Sequence, residues 1–280
     1  MSMKIGVVAN RRKAGVDDVL GRLHLWARNA EVDVLLLGEG DPSADEERNL
    51  DHVDFVVSLG GDGTLLRAAR LLGDRETPLL GVNLGSLGFL TEVTTGELEA
   101  ALSSLTSGDY SLETRMKVAG TIQSPGRKEV SFSALNDVVI TRAGATRIGH
   151  FQTYLGSGLI SRYTADGLIL STPTGSTAYN LSAGGPLVDP TMRLILMTPI
   201  CPHTLGMRPL ILPEREQIHV EFTQPGEELR LTVDGQESFV LGSDAVVRVT
   251  ASAHSTRLLR TGGADFYDIL RRKLYWGKRE

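Results

Sequence analysis

The chain has 280 residues, which suggests one large domain or two of ordinary size. A hydrophobic share of 41% and a charged share of 22% are typical of a globular protein with enough apolar material for a core. The formal net charge is −5 and no dense stripe of Lys and Arg interrupts it, so the charge pattern gives no support to a nucleic-acid partner.

Membrane insertion and disulfide chemistry are also disfavoured. The longest apolar runs, such as residues 32–38 and 194–200, are far shorter than the roughly 20 residues that a bilayer crossing requires. The first residues, MSMKIGVVAN, lead directly into a strand pattern and lack the features of a signal peptide. The single cysteine, Cys201, excludes an internal disulfide and a cysteine-based zinc site, and its neighbours predict a buried thiol. We therefore expect a cytoplasmic protein with no membrane partner.

Apolar runs alternate with helical spacing over the first hundred residues. The predicted strands are 4–9, 32–37, 54–59 and 78–83, and the predicted helices are 16–29 and the segment after the turn at residues 60–64. The acidic segment 39–51 predicts a solvated loop or a short helix. Strands that alternate with helices predict a parallel sheet covered on both faces. We expect an open, Rossmann-like α/β domain over residues 1–110.

The pattern changes after about residue 110 to short β-type runs separated by Gly, Pro and Asp turns. These runs are 117–123, 130–142, 150–156, 218–222, 228–235 and 245–252. They predict an antiparallel, β-sandwich-like domain over residues 111–261. The segment 166–190 is too rich in Ser, Thr and Gly for plain core, and we expect it to interrupt the strands.

A terminal amphipathic helix is predicted after the break at Gly262 and Gly263. Its apolar face carries Phe266, Ile269, Leu270 and Leu274 at helical spacing. We expect this helix to return to the first domain, which would add residues 262–280 to it.

The stretch FVVSLGGDGTLLRAAR, residues 55–70, places Asp62 in a Gly-rich turn between a strand and a helix. In open α/β sheets, ligands bind at the carboxyl ends of the strands, and bare glycines let a ligand approach the backbone. The first amides of the following helix favour phosphate, which repels a carboxylate unless that carboxylate handles a proton or a metal ion. Asp62 is therefore predicted to be a base or a Mg²⁺ contact in phosphoryl transfer, and a helix N-cap explains the tetrapeptide equally well. The turn matches neither a P-loop nor a dinucleotide fingerprint.

A second group of polar residues lies in the β-rich half. Asn136 and Asp137 are adjacent in a predicted strand, so their side chains face opposite ways, and Asp137 suits a ribose hydroxyl. A strand kink is the alternative. The segment STPTGSTAYNLSAGGP, residues 171–186, combines hydroxyls and glycines with Tyr179, which offers a face for stacking. It predicts sugar and phosphate binding, whereas a plain Ser/Thr-rich loop leaves its many turn formers unexplained.

Six motifs along nearly the whole chain resemble those of the ATP-dependent NAD kinases, in that family's order. They are GGDGT at 60–64, NLGSLGFL at 83–90, ND at 136–137, DGLILSTPTGSTAYNLSAGGP at 166–186, TPICPHTL at 198–205 and VDGQ at 233–236. The block at 166–186 is highly specific. GGDGT is less so, because diacylglycerol and sphingosine kinases and phosphofructokinases resemble it.

The resemblance implies a reaction, its substrates and an assembly. The γ-phosphate of ATP would pass, with a divalent cation such as Mg²⁺, to the 2′-hydroxyl of the adenosine ribose of NAD. Asp62 would be the proton acceptor, which is typically worth about 10²–10⁴ in rate. Gly63 would let the dinucleotide approach the turn. Members of the family are dimers or tetramers whose subunits help to build the site, so the resemblance implies a homodimer or homotetramer.

Matched positions also imply a set of binding residues. The NAD-binding set is Asp62, Gly63, Asn136, Asp137, Arg147, Thr164, Asp166, Thr177, Ala178, Tyr179, Asn180, Leu181, Ser182 and Gln236. Phe89 is a candidate for packing on the adenine or nicotinamide end, with a core position as the alternative. The candidates for contacts to ATP phosphates are Gly60, Gly61, Thr64, Arg67 and Arg70, and a solvated helix face explains the two arginines as well. No residue is assigned as a metal ligand, and His203 is expected to be structural.

Two other functions stay open at this point. A lipid kinase of the diacylglycerol type shares the GGDGT turn, although the sequence shows no apolar lipid slot. A non-catalytic regulator that binds a dinucleotide is the second alternative. The presence of Asp62 argues against a regulator, because phosphate binding alone favours removal of that charge.

Overall fold

The computed structural model describes residues 2–38, 50–142, 149–204, 206–224, 228–262 and 265–275. The chain divides into two compact units: the first unit is residues 1–114 with 256–280, and the second unit is residues 115–255. Most of the acidic segment 39–51 lies outside the described residues. None of the helices in the described part of the chain has the length and apolarity that a membrane crossing requires.

The first unit is built on a parallel sheet with helices. Its strands are β1 (Lys4–Ala9), β2 (Asp33–Leu37), β3 (Phe55–Gly60), β4 (Leu79–Asn83) and β5 (Val93–Thr94), and its first helices are α1 (Val16–Asn29), α2 (Asp62–Leu72) and α3 (Leu98–Ser107), the last preceded by a 3₁₀ turn (Thr95–Glu97). The strand order is β2-β1-β3-β4 with β5 beside β4, and all of these neighbours are parallel. The predicted α/β architecture is confirmed.

The core of the first unit explains why its strands were visible as apolar runs. Every residue of β3 and of β4 is buried, as expected for parallel strands that are covered on both faces. The apolar cluster that contains residues of β3 and β4 also includes Leu20 and Leu23 of α1 and Leu102 of α3. Each fully buried aliphatic side chain of this kind contributes about 1.5–3 kcal/mol through removal of its surface from water.

The second unit consists mainly of antiparallel strands. They are β6 (Ser111–Gln123), β7 (Val130–Ala134), β8 (Asp137–Arg142), β9 (Gly149–Leu155), β10 (Gly158–Ala165), β11 (Gly167–Ser171), β12 (Leu194–Ile200), β13 (Leu210–Pro213), β14 (Ile218–Phe222), β15 (Leu229–Val233), β16 (Glu237–Leu241) and β17 (Val246–Arg260), with a 3₁₀ turn (Thr174–Thr177) and the short helix α4 (Tyr179–Ser182). Strand β6 begins, and β17 ends, in the first unit. One sheet has the order β13-β12-β11-β8-β15-β16, and another joins β10-β9-β14-β17 with β6 and β7.

A single apolar cluster lies between these two layers of the second unit. Phe151 and Val220 enter it from one sheet, and Ile140 and Leu231 enter it from the other. Burial alternates along β14, as a strand with one face toward a core requires. The predicted sandwich-like β architecture is therefore confirmed.

Two strand predictions in this half are wrong. The run 130–142 forms β7 and β8, separated by a turn at residues 135–136, because the Asp234 carboxylate takes the backbone amides there. The segment 166–190 does not simply interrupt the strands, since β11 lies within it and is completely buried between β8 and β12. The prediction for Cys201 is also wrong: the residue is exposed, and it lies just after the end of β12 with a left-handed backbone (φ 45°).

Helix α5 (Phe266–Leu274) belongs to the first unit, which confirms the predicted return of the terminal helix. It begins with a capping box in which the Asp265 carboxylate accepts the Asp268 N–H at 2.6 Å. Only the middle of its predicted apolar face is buried, at Ile269 and Leu270, whereas Leu274 is 38% exposed.

An ion-pair network joins the end of β17 to two other segments of the first unit. Arg260 contacts Glu92 at 2.9 Å and Glu113 at 3.0 Å, and the side chains of Arg260 and Glu92 are only 15% and 8% exposed. Glu92 also accepts the backbone N–H of Thr261 at 3.0 Å. Because removing one partner of a buried pair leaves an uncompensated charge, this network should be sensitive to substitution.

We expect Arg260→Leu to lower the free energy of unfolding by about 3 kcal/mol, because Glu92 would lose its cation. Chemical denaturation measures this difference. Arg257→Leu is the matched control: it removes an arginine from the same strand that pairs with Glu76 at an exposed position, and it should cost only about 0–1 kcal/mol. Equal losses in the two variants would contradict the prediction.

Candidate active site

The Gly-rich turn lies at the switch point of the parallel sheet. The chain steps outward from β1 to β2 on one side and from β3 to β4 on the other, so the winding reverses between β1 and β3. These two strands end at Ala9 and Gly60, and the N–H of Asn10, the residue after β1, donates to the carbonyl of Leu59 in β3 at 2.9 Å. Open α/β sheets bind ligands in the crevice at such a point. Position alone therefore makes residues 60–64 a candidate site.

The three glycines of this turn, Gly60, Gly61 and Gly63, have different surroundings, so different reasons explain why each is a glycine. A β-carbon on Gly60 would lie 2.0 Å from the hydroxyl oxygen of Thr64, a buried side chain that packs over it. A β-carbon on Gly61 or Gly63 would meet no atom of the described residues within 4 Å, apart from the adjoining backbone. Gly61 has φ −155°, an extended backbone that any residue adopts. Internal packing therefore explains Gly60 and Thr64, whereas Gly61 and Gly63 leave space beside the backbone for a ligand.

The Asp62 carboxylate braces a neighbouring loop. Its Oδ2 accepts the Phe89 N–H at 2.8 Å, and its Oδ1 accepts the N–H groups of Leu90 and Thr91 at 3.1 Å and the Thr91 hydroxyl at 3.2 Å. The N-cap position of α2 belongs to Gly61, so the N-cap explanation of Asp62 is wrong. A carboxylate offers about four lone-pair sites, two on each oxygen. Oδ2 carries one hydrogen bond in the described structure and has room for another.

Asn83 and Gly88 complete the packing of the loop at residues 84–91. The Asn83 side-chain amide donates to the Thr91 hydroxyl at 2.8 Å, which in turn donates to Asp62. A β-carbon on Gly88 would lie 1.9 Å from Oδ1 of Asp62. The NLGSLGFL motif is therefore a loop folded closely around the Asp62 carboxylate.

Basic side chains accompany this turn in the first unit. The Arg67 guanidinium donates to the Ala9 carbonyl at 2.8 Å, which places it at the switch point and not on a solvated face. Arg70 lies half-buried in the last turn of α2. The Lys273 ammonium of α5 lies 5.6 Å from the centroid of the half-buried Phe89 ring, a cation–π distance.

A cavity of about 420 Å³ lies in the second unit. Its lining residues are Asn136, Asp137, Val139, Thr141, Ala178, Tyr179, Thr232, Asp234 and Gly235. Four predicted NAD-binding residues are thus brought together: Asn136, Asp137, Ala178 and Tyr179. An apolar wall with a few convergent polar groups is typical of small-molecule sites.

The sequence predicted that Asn136 and Asp137 lie in one strand, and this prediction is wrong. Asn136 lies in the turn before β8, and Asp137 is the first residue of β8. The Asp137 side chain is 4% exposed, and its burial, helped by the negative charge of Asp234, raises its pKa to about 7. The buried Oδ1 of Asn136 accepts no hydrogen bond from the described residues. Both groups are suited to the donors of a ligand.

The hydroxyl-rich segment at residues 171–186 folds against the same turn. The Thr172 hydroxyl donates to the Leu135 carbonyl at 2.6 Å and accepts the Gly175 N–H at 3.1 Å. A β-carbon on Gly175 would lie 2.1 Å from the Asn136 carbonyl oxygen. These contacts explain why a small residue and a hydroxyl stand at these positions of the motif.

Asn180 and Tyr179 have opposite settings in this segment. The Asn180 side chain is completely buried: its Oδ1 accepts the Thr198 hydroxyl at 2.7 Å, and its Nδ2 donates to the Pro186 carbonyl at 3.1 Å and to the Ser176 carbonyl at 3.3 Å. A contact between Asn180 and NAD would have to use its backbone. Tyr179 is 45% exposed at the cavity. The neighbouring candidates Thr177, Leu181 and Ser182 are half-buried or exposed.

The other predicted dinucleotide residues are not among those that line the cavity. The Thr164 carbonyl accepts the His203 N–H at 2.8 Å, and the exposed Asp166 carboxylate lies 4.0 Å from Nε2 of His203. Gln236 is exposed and directly follows the cavity residue Gly235. Arg147 lies outside the described residues.

Sequence reasoning missed four residues that shape these regions. Asn83 and Asp234 stood inside two of the quoted motifs, NLGSLGFL and VDGQ, and a polar residue at or just after the end of a buried strand was the available signal. Thr91 and Lys273 gave no signal of their own, because only packing shows what a lone threonine or a lysine in a basic helix contacts.

Metal binding by the protein itself finds little support in the donor set. In the part of the chain that the structure describes, no three His, Cys, Asp or Glu side chains converge to hold a metal ion. The turn at residues 60–64 offers one carboxylate, Asp62, whose oxygens already accept four hydrogen bonds. This set fits a Mg²⁺ ion that arrives bound to nucleotide phosphates, which is how Mg²⁺ is commonly held at phosphate-transfer sites.

The fold and the site together define a nucleotide-binding protein in which an acidic, Gly-rich turn of an α/β unit accompanies a β unit with a polar cavity. A family model described as the ATP-NAD kinase N-terminal domain matches residues 39–110, and one described as the ATP-NAD kinase C-terminal domain matches residues 135–261. The chain belongs to the ATP-NAD kinase family.

Related proteins named NAD kinase match nearly the whole chain. That of Moorella thermoacetica is 44% identical over 98% of this chain and 90% of the relative, and that of Geobacter metallireducens is 41% identical over 99% of each. Neither the lipid kinase nor the regulator gains support from these matches.

Solved structures agree on the fold. Yeast NADH kinase complexed with NADH aligns with a TM-score of 0.90 at 24% identity, covering 100% of this chain and 89% of that one. An NAD kinase from Archaeoglobus fulgidus in complex with ATP aligns with a TM-score of 0.79 at 26% identity, and the alignment covers 98% of this chain and 99% of that one.

The raised pKa of Asp137 predicts a pH-dependent penalty on stability. Because the folded state holds this proton up to about pH 7 and the unfolded state releases it near 3.8, the free energy of unfolding falls as pH rises through that window. Asp137→Asn removes the penalty. We expect the stability of this variant, relative to the wild type, to rise between pH 4 and pH 8 by at most about 4 kcal/mol.

Denaturation across this pH range measures the change. Thr232→Val is the control, because it alters the same cavity without removing a titratable group, so its difference from the wild type should stay constant with pH. A pH-independent difference for Asp137→Asn would contradict the assignment.

Proposed function

We infer that the chain is an NAD kinase, which transfers the γ-phosphate of ATP to the 2′-hydroxyl of the adenosine ribose of NAD and yields NADP and ADP. Membership of the family supports the activity, and the names of the relatives support NAD and ATP as substrates. The observation that carries the mechanism is the Asp62 carboxylate, held at the carboxyl end of β3 between two glycines with open space beside them.

Asp62 is the proton acceptor in this proposal. A secondary alcohol is a weak nucleophile, so the ribose hydroxyl needs a positioned base as it attacks the phosphorus atom. The proton goes to Oδ2, which accepts one hydrogen bond, from Phe89, whereas Oδ1 accepts three. The loop amides hold the carboxylate in one orientation before the substrate arrives, so little orientational freedom is lost at the transition state.

The start of α2 receives the phosphates of ATP. The first amides of this helix and the bare backbone at Gly61 and Gly63 suit an anion. Arg67 and Arg70 add positive charge on the same helix. Gly60 and Thr64, which were candidates for phosphate contacts, are accounted for by their packing on each other.

The cavity of the second unit binds NAD. Tyr179 offers an exposed ring for stacking, and Asn136 and Asp137 offer the polar groups. Asp137 in its ionised form accepts from ribose hydroxyls, and the Asn136 Oδ1 accepts from an amino group. The remaining matched positions complete the dinucleotide contacts by their resemblance to the family: Arg147, Thr164, Asp166, Thr177, Ala178, Leu181, Ser182 and Gln236.

A divalent cation, Mg²⁺, enters with ATP as part of the substrate. Bound to the phosphates, it neutralises charge on the group that is transferred. Among the candidate residues, Asp62 is the side chain that could also contact this cation. Its four hydrogen bonds to the loop after β4 favour the role of a base for the ribose hydroxyl instead. A cytoplasmic location and a homodimeric or homotetrameric assembly stay predictions from the sequence and the family resemblance.

Asp62→Asn tests the base. We expect kcat to fall by roughly 10²-fold or more, because the amide cannot take the proton, and KM for NAD to stay within a few-fold. Steady-state kinetics with MgATP and NAD measure both. Thr91→Val is the control for disturbance of the loop: it removes one hydrogen bond to the carboxylate and keeps the base, so kcat should fall much less. Equal kcat in Asp62→Asn and the wild type would remove the assignment.

Gly63→Ala tests whether a ligand uses the open space at the turn. Within 4 Å the added methyl meets no atom of the described residues outside its own turn of helix, and alanine favours a helix over glycine by about 0.5–1 kcal/mol, so the free energy of unfolding should not fall. We expect kcat/KM to drop by about tenfold or more, because the methyl displaces the reacting groups. Gly21→Ala in α1, also in open space, should match its stability and keep full activity. A fully active Gly63→Ala enzyme would refute the proposed approach of the ligand.

A further inference from the structure

The β15–β16 hairpin ends in a tight turn with Asp234 and Gly235 at its tip. Both residues have positive φ, 49° and 67°, and the Gln236 N–H donates to the Val233 carbonyl at 2.9 Å. Positive φ at both central residues defines a type I′ turn, for which Asp-Gly is a favoured pair. The hairpin therefore fixes the backbone of Asp234 independently of any ligand.

Strand β15 lies antiparallel beside β8, so the tip of the hairpin meets the turn before β8. The Asp234 carboxylate accepts the N–H groups of Leu135, Asn136 and Asp137 at 2.9, 2.7 and 3.1 Å. In return, the Asp234 N–H donates to the Asp137 carbonyl at 2.9 Å. Four hydrogen bonds thus join one hairpin residue to the two residues of the turn and to Asp137, the first residue of β8.

The carbonyl side of the same turn is held by the hydroxyl-rich segment. The Thr172 hydroxyl donates to the Leu135 carbonyl at 2.6 Å, and the Thr172 N–H donates to the Asn136 carbonyl at 2.9 Å. The turn is thus fixed by Asp234 from its amides and by Thr172 from its carbonyls. Three motifs that are far apart in the sequence, ND, STPTG and VDGQ, meet in this one network.

We propose that Asp234 is a positioning residue for the dinucleotide, which sets the Asn136 and Asp137 side chains in the cavity by holding their backbone amides. The proposal rests on the proposed function, in which this cavity binds NAD. In this proposal Asp234 acts through these two residues, whose backbone amides its carboxylate holds. It bears on binding of NAD and not on the transfer step.

Asp234→Asn is the informative substitution. Asparagine tolerates positive φ, so the turn can form, but its NH₂ group replaces one oxygen and faces an amide donor. We expect KM for NAD to rise about 10- to 100-fold, the effect of losing hydrogen bonds to a charged group, while kcat and KM for ATP stay unchanged. Partial unfolding would instead lower the active fraction and kcat and leave KM for NAD as it was.

Two further variants separate the possible failures. Asp244→Asn makes the same charge change at an exposed turn of the second unit and should keep the wild-type KM for NAD. Tyr179→Ala should raise KM for NAD if the cavity is the dinucleotide site. A normal KM in Asp234→Asn together with a raised KM in Tyr179→Ala would overturn the positioning role alone. A normal KM in both would overturn the assignment of the cavity, and the proposal with it.

Hydrogen exchange on the wild-type enzyme gives a test that needs no variant. The amides of residues 135–137 should exchange much more slowly than those of an unstructured peptide, and in a folded Asp234→Asn enzyme they should lose most of that protection. Exchange of these amides at unstructured rates in the wild type would overturn the proposal, even if Asp234→Asn does not fold.

Discussion

A carboxylate that accepts consecutive backbone amides holds each of the two candidate ligand regions in place. Asp62 does so for the loop after β4, and Asp234 does so for the turn before β8. Consecutive amides of a loop often lack carbonyl partners within the loop, and each buried amide without a partner costs about 1–3 kcal/mol. The two aspartates remove this cost. The segments that they order carry side chains expected to meet the ligand, such as Phe89 and Asn136.

Asp62 lies between two glycines, Gly61 and Gly63, that leave open space beside the backbone. The loop after β4 fixes the orientation of the Asp62 carboxylate, whose Oδ2 accepts one hydrogen bond, from Phe89. A reactive group that its surroundings already orient does not have to reorganise when charge develops. The glycine pattern follows the same logic. Gly88 makes room for the carboxylate, and Gly61 and Gly63 make room for what the carboxylate acts on.

Much of the fold was readable from the sequence because its causes are local. Strands buried on both faces give uninterrupted apolar runs, as in β3 and β4, and alternation marked β14. The break before β8 was not readable, because its cause lies 98 residues further along the chain, at Asp234. Strand β11 was missed for a different reason: it runs directly into a hydroxyl-rich segment, whose composition hid a fully buried strand.

The candidate site divides in the same way. Motifs named the residues, but their tasks depend on contacts between distant segments. Asn180 belongs to the most specific motif, but its side chain is buried and stabilises the segment at residues 171–186. Its amide group donates to the Pro186 carbonyl and accepts from the Thr198 hydroxyl. Thr64 likewise packs over Gly60. Composition and spacing do not distinguish a side chain that touches a ligand from one that shapes the surface which does.

The first unit is discontinuous, and this bears on how the molecule matures. Leu259 belongs to the same apolar cluster as β1 and β3, yet it leaves the ribosome only after residues 115–255. Domains generally fold as they emerge. The strands β1 to β4 are synthesised before β17, so part of the β4 edge has no partner until β17 is made. An unpaired strand edge can pair with other chains. The first unit, although most of it is translated first, is therefore completed only after the second unit has been synthesised.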